Sequence, residues 1–125
     1  MLGLIFFSIL INPSLSLTTL ELAIWEQETN KRTGIIWGDQ GDSLGPLQIS
    51  EAAFIDSGVQ GEWKDCRYLS VSLEVFRKYQ QRYANARRLK RTPTNQDRAR
   101  IWNGGPNGWK RNSTLKYWHS VKEKL

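Results

Sequence analysis

Glu28 opens and Asp39 closes the stretch "ETNKRTGIIWGD", with a basic pair and an apolar run between them. As unrelated charges, both would simply be solvated. As a pair they suit one reaction, hydrolysis of a glycosidic bond. That reaction needs a carboxyl still protonated near neutral pH and a second one that stays ionised, about 5–5.5 Å away in a retaining mechanism. Glu28 falls near the end of a predicted helix, beside Trp25 and the apolar Ile35, Ile36 and Trp37. Desolvation there, together with the negative end of the helix, favours the neutral acid. Asp39 sits between Gly38 and Gln40 in a loop whose free backbone amides can bond a charged carboxylate. Glu26 is the rival acid, but two positions along a helix point in different directions, so it faces away if Glu28 faces a cleft.

The elements that must position these groups can be read from spacing and punctuation. "LTTLELAIWEQET" is a helix in which Thr18 and Glu21 have capping-box spacing and Leu20, Ala23, Ile24 and Gln27 share a face. Gly34, Gly38, Gly41 and Gly45 then punctuate a short apolar run, which predicts a turn-rich β-hairpin over residues 33–49. "SEAAFIDSG" is a short helix between an N-cap at Ser50 and a stop at Gly58. The longest predicted helix covers residues 66–90, with Leu69, Leu73, Phe76, Gln80 and Tyr83 on one face and Arg77, Lys78, Arg82, Arg87 and Arg88 on a solvated one. Thr92 and Pro93 start a fourth helix. After "NGGPNG", an amphipathic helix runs through Leu115, Trp118 and Val121.

Among 125 residues, 39% are apolar and six are Trp, enough to build one packed domain and too aromatic for a disordered chain. "MLGLIFFSILINPSLS" has no charged side chain, an apolar stretch from Leu2 to Ile11, and small residues at Ser14 and Ser16. It reads as a secretory signal peptide over residues 1–16, leaving a domain of residues 17–125 outside the cell. That apolar stretch is too short to span a bilayer. Cys66 is alone and forms no internal bridge, so packing must hold the fold. Residues 1–76 hold four Lys or Arg against ten Asp or Glu, and residues 77–125 hold fourteen against two. A basic half of this kind suits an anionic partner: nucleic acid, membrane or a bacterial wall polymer. No phosphate-binding loop, nucleophilic Ser motif or metal-ligand spacing is present, so neither a metal nor another cofactor is expected, and "RRLKRT" at 87–92 stands outside any nucleic-acid-binding motif.

Several motifs occurring in order carry more information than any one of them. "ETN" at 28–30, "GD" at 38–39, "GPLQI" at 45–49, "YQQRYA" at 79–84, and "ARIWNGGPNGW" with "TLKYW" at 99–118 together resemble the invertebrate-type lysozymes, especially their cysteine-poor relatives. The resemblance implies an α+β fold: a mainly helical lysozyme-like domain with a short β-hairpin lining the active-site cleft. It also implies hydrolysis of the β-1,4 bond between N-acetylmuramic acid and N-acetylglucosamine in peptidoglycan, by a monomer without cofactor. By motif, Glu28 matches the general acid and Asp39 the second carboxylate. Gln48 would bring an amide to the cleft, to bind an acetamido group or orient Asp39, or would merely pair with backbone. Asn103, Gly104, Gly105 and Asn107 belong to a turn whose backbone can approach the sugar, or to plain turn structure. Trp37, Trp63, Trp102 and Trp109 are candidates to stack on pyranose faces or to fill the core. The chain departs from the family in lacking its cysteines, in carrying Trp102 where many relatives have His, and in the "ETN" continuation. A lytic transglycosylase acting through Glu28 alone, an inactive peptidoglycan- or chitin-binding module, and a nucleic-acid binder are the competing readings.

Overall fold

A computed structural model describes residues 16–125. The leader read over residues 1–16 lies, except for Ser16, outside the described residues. The helices are α1 (Thr19–Thr29), α2 (Glu51–Ser57), α3 (Leu69–Tyr83), α4 (Ala86–Leu89), α5 (Asn95–Gly104) and α6 (Leu115–Lys122). Two short strands, β1 (Trp37–Gly38) and β2 (Ser43–Leu44), pair antiparallel, with Trp37 opposite Leu44 and Gly38 opposite Ser43. The expected α+β architecture is present: a helical frame with one small hairpin lobe.

The ends of α1 are set by local chemistry. The Thr18 hydroxyl oxygen accepts from the Glu21 amide at 3.1 Å, and the Glu21 carboxylate accepts from the Thr18 amide at 2.9 Å. This is the reciprocal cap its spacing predicts, and it satisfies two backbone donors that the first turn leaves free. Asn30, at φ +57°, turns the chain left-handed and donates its N–H to the Glu26 carbonyl. Leu20, Ala23 and Ile24 face inward and pack with Leu73, Phe76, Ala99, Trp118 and Val121 from α3, α5 and α6. A second apolar cluster gathers Tyr79, Ala84, Leu89 and Ile101.

Bonds from three directions fix the hairpin lobe to this frame. The Thr29 hydroxyl, at the end of α1, donates to the Pro46 carbonyl at 2.8 Å in a buried position. The Gly34 amide donates to the Arg67 carbonyl at 3.0 Å, and the Trp63 indole donates to the Ile49 carbonyl at 2.8 Å. Gly45 has φ +84°, and a Cβ there would come within 2.1 Å of the Cys66 carbonyl oxygen. Only glycine lets the lobe approach the Trp63–Arg67 turn that closely.

Two sequence expectations are corrected. The helix expected over residues 66–90 is two helices, because Ala84 leaves helical geometry and Asn85 caps a new start by accepting from the Arg88 amide at 2.9 Å. At its front, Trp63–Arg67 is a tighter turn, and α3 begins only at Leu69. The fourth helix is capped by Thr94 rather than Thr92, since Asp97 three residues on completes a capping box there and a bidentate pair with Arg91. The solvated face expected on this segment is present, with Lys78, Arg82 and Arg87 exposed and Arg77 and Arg88 half-buried, and three of its arginines also make bonds. Arg77 pairs with buried Glu21, Arg82 with Asp56, and Arg88 reaches the Pro106 carbonyl and Asn107.

Candidate active site

Glu28 and Asp39 line one cleft of about 300 Å³ between the hairpin lobe and the helical frame. Such a volume is at the lower end for small-molecule and sugar sites. Glu28 comes from the last turn of α1, and the Thr29–Pro46 bond one residue later fixes that helix end against the lobe carrying Asp39. The polar lining also includes Ser43, Gln48, Ser50 and Asn103, while Ile49, Ala53, Tyr79 and Trp102 supply apolar surface.

The two carboxyls have opposite surroundings. Burial pushes the Glu28 carboxyl up to about 7; a hydrogen bond from Tyr117 opposes that rise and the charge of Asp39 adds to it. Tyr117 donates its hydroxyl to Glu28 Oε2 at 2.7 Å from α6, across 89 positions of sequence. Asp39 is exposed and accepts the Ser43 hydroxyl on Oδ2 at 2.5 Å. Its backbone has φ +50° and the next residue, Gln40, φ +58°, so two successive non-glycine residues hold left-handed conformations here. Such conformations cost roughly 1–2 kcal/mol per residue, less for Asp, and persist where the surroundings impose them.

Of the apolar neighbours in sequence, Ile35 and Trp37 are 62% and 55% exposed and stand outside the cleft lining, whose apolar surface comes instead from Ile49, Ala53, Tyr79 and Trp102. Glu26 turns away, as expected, and forms a half-exposed ion pair with Lys31 at 3.8 Å. The backbone amides expected at the Asp39 carboxylate give way to the hydroxyl of Ser43, a residue the sequence did not single out.

The remaining candidates divide. Gln48 lines the cleft, but its amide nitrogen donates to the Ile36 and Gly45 carbonyls at 2.9 and 3.0 Å, so the backbone-pairing alternative holds for its donors. A Cβ on Gly38 would lie 1.7 Å from Gln48 Oε1, which shows how closely that amide is packed on the strand. Asn103 and Gly105 line the cleft. Gly104 instead packs against the Thr114 methyl, and Asn107 accepts from Arg88. Trp37 stands outside the lining, its ring edge-on to Trp63 at 5.7 Å. Trp102 forms part of the wall and is packed edge-on against Phe76 and Tyr79.

Groups with other chemistry stand apart. Cys66 is buried, and burial pushes its thiol up to about 12, which keeps it un-ionised. His119 lies exposed on α6. Among the described residues, no cluster of His, Cys, Asp and Glu is placed to hold a metal ion. No helix among them is long and apolar enough to cross a membrane.

No family profile matches the chain. It is 38% identical over 84 residues to the invertebrate-type lysozyme of Ruditapes philippinarum, a match covering 65% of this chain and 60% of that protein. The chain therefore spans less than two thirds of that relative's length. Its fold superposes on the crystal structure of Tapes japonica lysozyme with a TM-score of 0.74 and 29% identity, covering 86% of this chain and 89% of the other. With the inhibitor-bound lysozyme of Meretrix lusoria the TM-score is 0.73 at 32% identity, over 88% of this chain and 90% of the other. Sequence and fold thus agree with the motifs around the cleft, and the chain belongs to the invertebrate-type lysozyme family.

Proposed function

We propose that this chain is a muramidase that hydrolyses the β-1,4 bond between N-acetylmuramic acid and N-acetylglucosamine in peptidoglycan. The observation that carries the reading is the asymmetry of the carboxyl pair. A desolvated Glu28 titrating at about 7 shares a cleft with an exposed Asp39 that accepts a hydroxyl. Two carboxyls whose environments push them apart are what a glycosidase requires. Glu28 protonates the leaving oxygen as the glycosidic bond breaks, and Asp39 forms or stabilises the glycosyl intermediate on the opposite side. Water then attacks the anomeric carbon and gives up a proton to Glu28.

The cleft residues Gln48, Asn103 and Gly105 flank the bound sugar in this reading, and Trp37 extends the surface on which the polymer rests. The mature domain is residues 17–125, exported by the leader at residues 1–16 and acting as a monomer without metal or cofactor. The basic half formed by residues 77–125 holds the enzyme to anionic wall polymers, an attraction that weakens with salt.

Turbidity loss of purified peptidoglycan, measured for the wild type and Glu28→Gln, tests the assignment. The variant should lose roughly 10³-fold in rate, and mass spectrometry of the wild-type products should find reducing muramic acid ends. Anhydro ends, lighter by one water, would instead make the protein a lytic transglycosylase. A folded wild type that binds the polymer without cutting it would leave only a binding module.

A further inference from the structure

We propose that Tyr117 is the positioning residue of the acid: its hydroxyl holds Glu28 Oε2 as the carbonyl-like oxygen, so that the transferable proton resides on Oε1, facing the scissile bond. The inference rests on the reading of Glu28 as general acid and adds a residue that this reading leaves unused. Its geometric basis is the 2.7 Å bond from Tyr117 to one oxygen of Glu28, formed between α6 and the last turn of α1. A neutral carboxyl has one donor and one carbonyl oxygen, and these interchange freely unless a neighbour distinguishes them. A fixed O–H donor on Oε2 makes that distinction.

The electrostatics around Glu28 support the same role. The titratable groups that face it are Tyr117 from α6, Asp39 from the lobe and Tyr79 from α3. Burial and the Glu28 charge raise Tyr117 well above its ordinary value, and burial pushes Tyr79 up to about 12. Both phenols therefore stay protonated throughout the range in which Glu28 titrates. The moving proton belongs to Glu28: it passes from Oε1 to the leaving oxygen, and Tyr117 keeps its own. Once Glu28 is a carboxylate, the same bond becomes charge-assisted and stronger, which stabilises the state produced by transfer. This differential binding favours the step rather than the substrate.

The test is Tyr117→Phe, which removes one oxygen and keeps the ring. Losing a bond that favours the charged form raises the Glu28 pKa, so the alkaline limb of the rate profile should move to higher pH. At the optimum, kcat should fall roughly tenfold, with KM within about twofold. A residue that only supported the fold would scale the whole profile by the folded fraction without moving the limb. A wild-type limb and kcat in the folded variant overturn the proposal.

The wild type supplies a second measurement that does not depend on the variant folding. The Tyr117 Cζ carbon resonance should titrate at about 7 along with Glu28, and should be flat through that region in Glu28→Gln. A flat wild-type resonance overturns the proposal. Activity of Glu28→Gln on peptidoglycan separates the two levels of inference. If that variant is dead while the Tyr117→Phe limb is unmoved, only the role of Tyr117 fails. If it remains fully active, the general-acid reading fails and takes Tyr117 with it.

Discussion

The two carboxyls of the cleft are built by two regions that work differently. Glu28 belongs to the helical frame: its backbone is regular, its helix is capped at both ends, and its environment is supplied by side chains from α3, α5 and α6. Asp39 belongs to the hairpin lobe, where strands of two residues flank a left-handed turn and the carboxylate stands in solvent against one hydroxyl. A helix end packed into a core desolvates an acid, whereas a loop tip keeps a carboxylate wet. The difference in regularity is thus also a difference in exposure, and the member of the pair that is desolvated, Glu28, is the one whose carboxyl is raised, to about 7.

The largest effect that can break this comparison is loss of Asp39. Asp39→Asn should reduce peptidoglycan hydrolysis by roughly 10²–10³-fold. Stability should change by no more than about 0.5 kcal/mol, because the side chain is exposed and makes one local bond. Parallel turbidity and thermal-denaturation measurements check both parts. A variant that retains most of its rate would leave Glu28 acting alone, which is the transglycosylase outcome.

The next effect is on stability, and it has the opposite sign to the effect on rate. Burial raises the folded-state Glu28 carboxyl from an ordinary 4.5 to about 7. For an acid shifted upward, the native state binds more protons than the unfolded chain between those two values. Stability therefore falls as pH rises from about 4.5 to about 7, and the penalty is fully present above that window. The shift corresponds to about 3 kcal/mol at most. Glu28→Gln should remove this pH dependence and melt above the wild type at pH 8, provided that the amide keeps its bond from Tyr117. Chemical denaturation at pH 5 and pH 8 measures it; equal slopes with pH for both proteins would show that the acid is not held at a cost to the fold.

What the sequence disclosed follows the same division. Features decided within a few residues were legible, such as the Thr18–Glu21 box, the Ser50 cap and the Gly58 stop. The break at Asn85 and the cap at Thr94 were equally local but hidden by competing signals. Helical periodicity continues across residues 84–85, and Thr92 before Pro93 makes a plausible start two residues early. Asp97, three positions after Thr94, was the available cue for the true cap. That Glu28 and Asp39 share one cleft was readable because motif and chemistry coincide at 28 and 39. Their environment was not: Tyr79, Ile49 and Tyr117 stand within the quoted motifs, but nothing local shows that Tyr79, Ile49 and Ala53 line the cleft and that Tyr117 bonds Glu28, which follows only from tertiary packing. The apolar run beside Asp39 looked like the cover for Glu28, yet Ile35 and Trp37 are largely exposed and lie outside the cleft lining: Trp37 meets Trp63 edge-on, and Ile35 lies beside Arg67, Tyr68 and Leu69.

The smallest effect compares one residue type in both regions. Trp102 sits in the helical wall, with its ring held edge-on between Phe76 and Tyr79 at 4.9 and 5.7 Å, so it supports the core as much as it faces the cleft. Trp37 projects from the lobe two residues before Asp39, is 55% exposed and touches the frame through one edge contact with Trp63. If the polymer continues from the cleft over β1, Trp37 offers a free aromatic face to the apolar side of a sugar ring. An aromatic contact of this kind contributes about 1 kcal/mol. Trp37→Ala should therefore raise KM for peptidoglycan about fivefold, with kcat and melting temperature nearly unchanged. Trp102→Ala should lower the melting temperature first, since it opens a hole between α3 and α5. A Trp37→Ala variant with unaltered KM would confine substrate contact to the cleft and leave the exposed strand of the lobe without a part in binding.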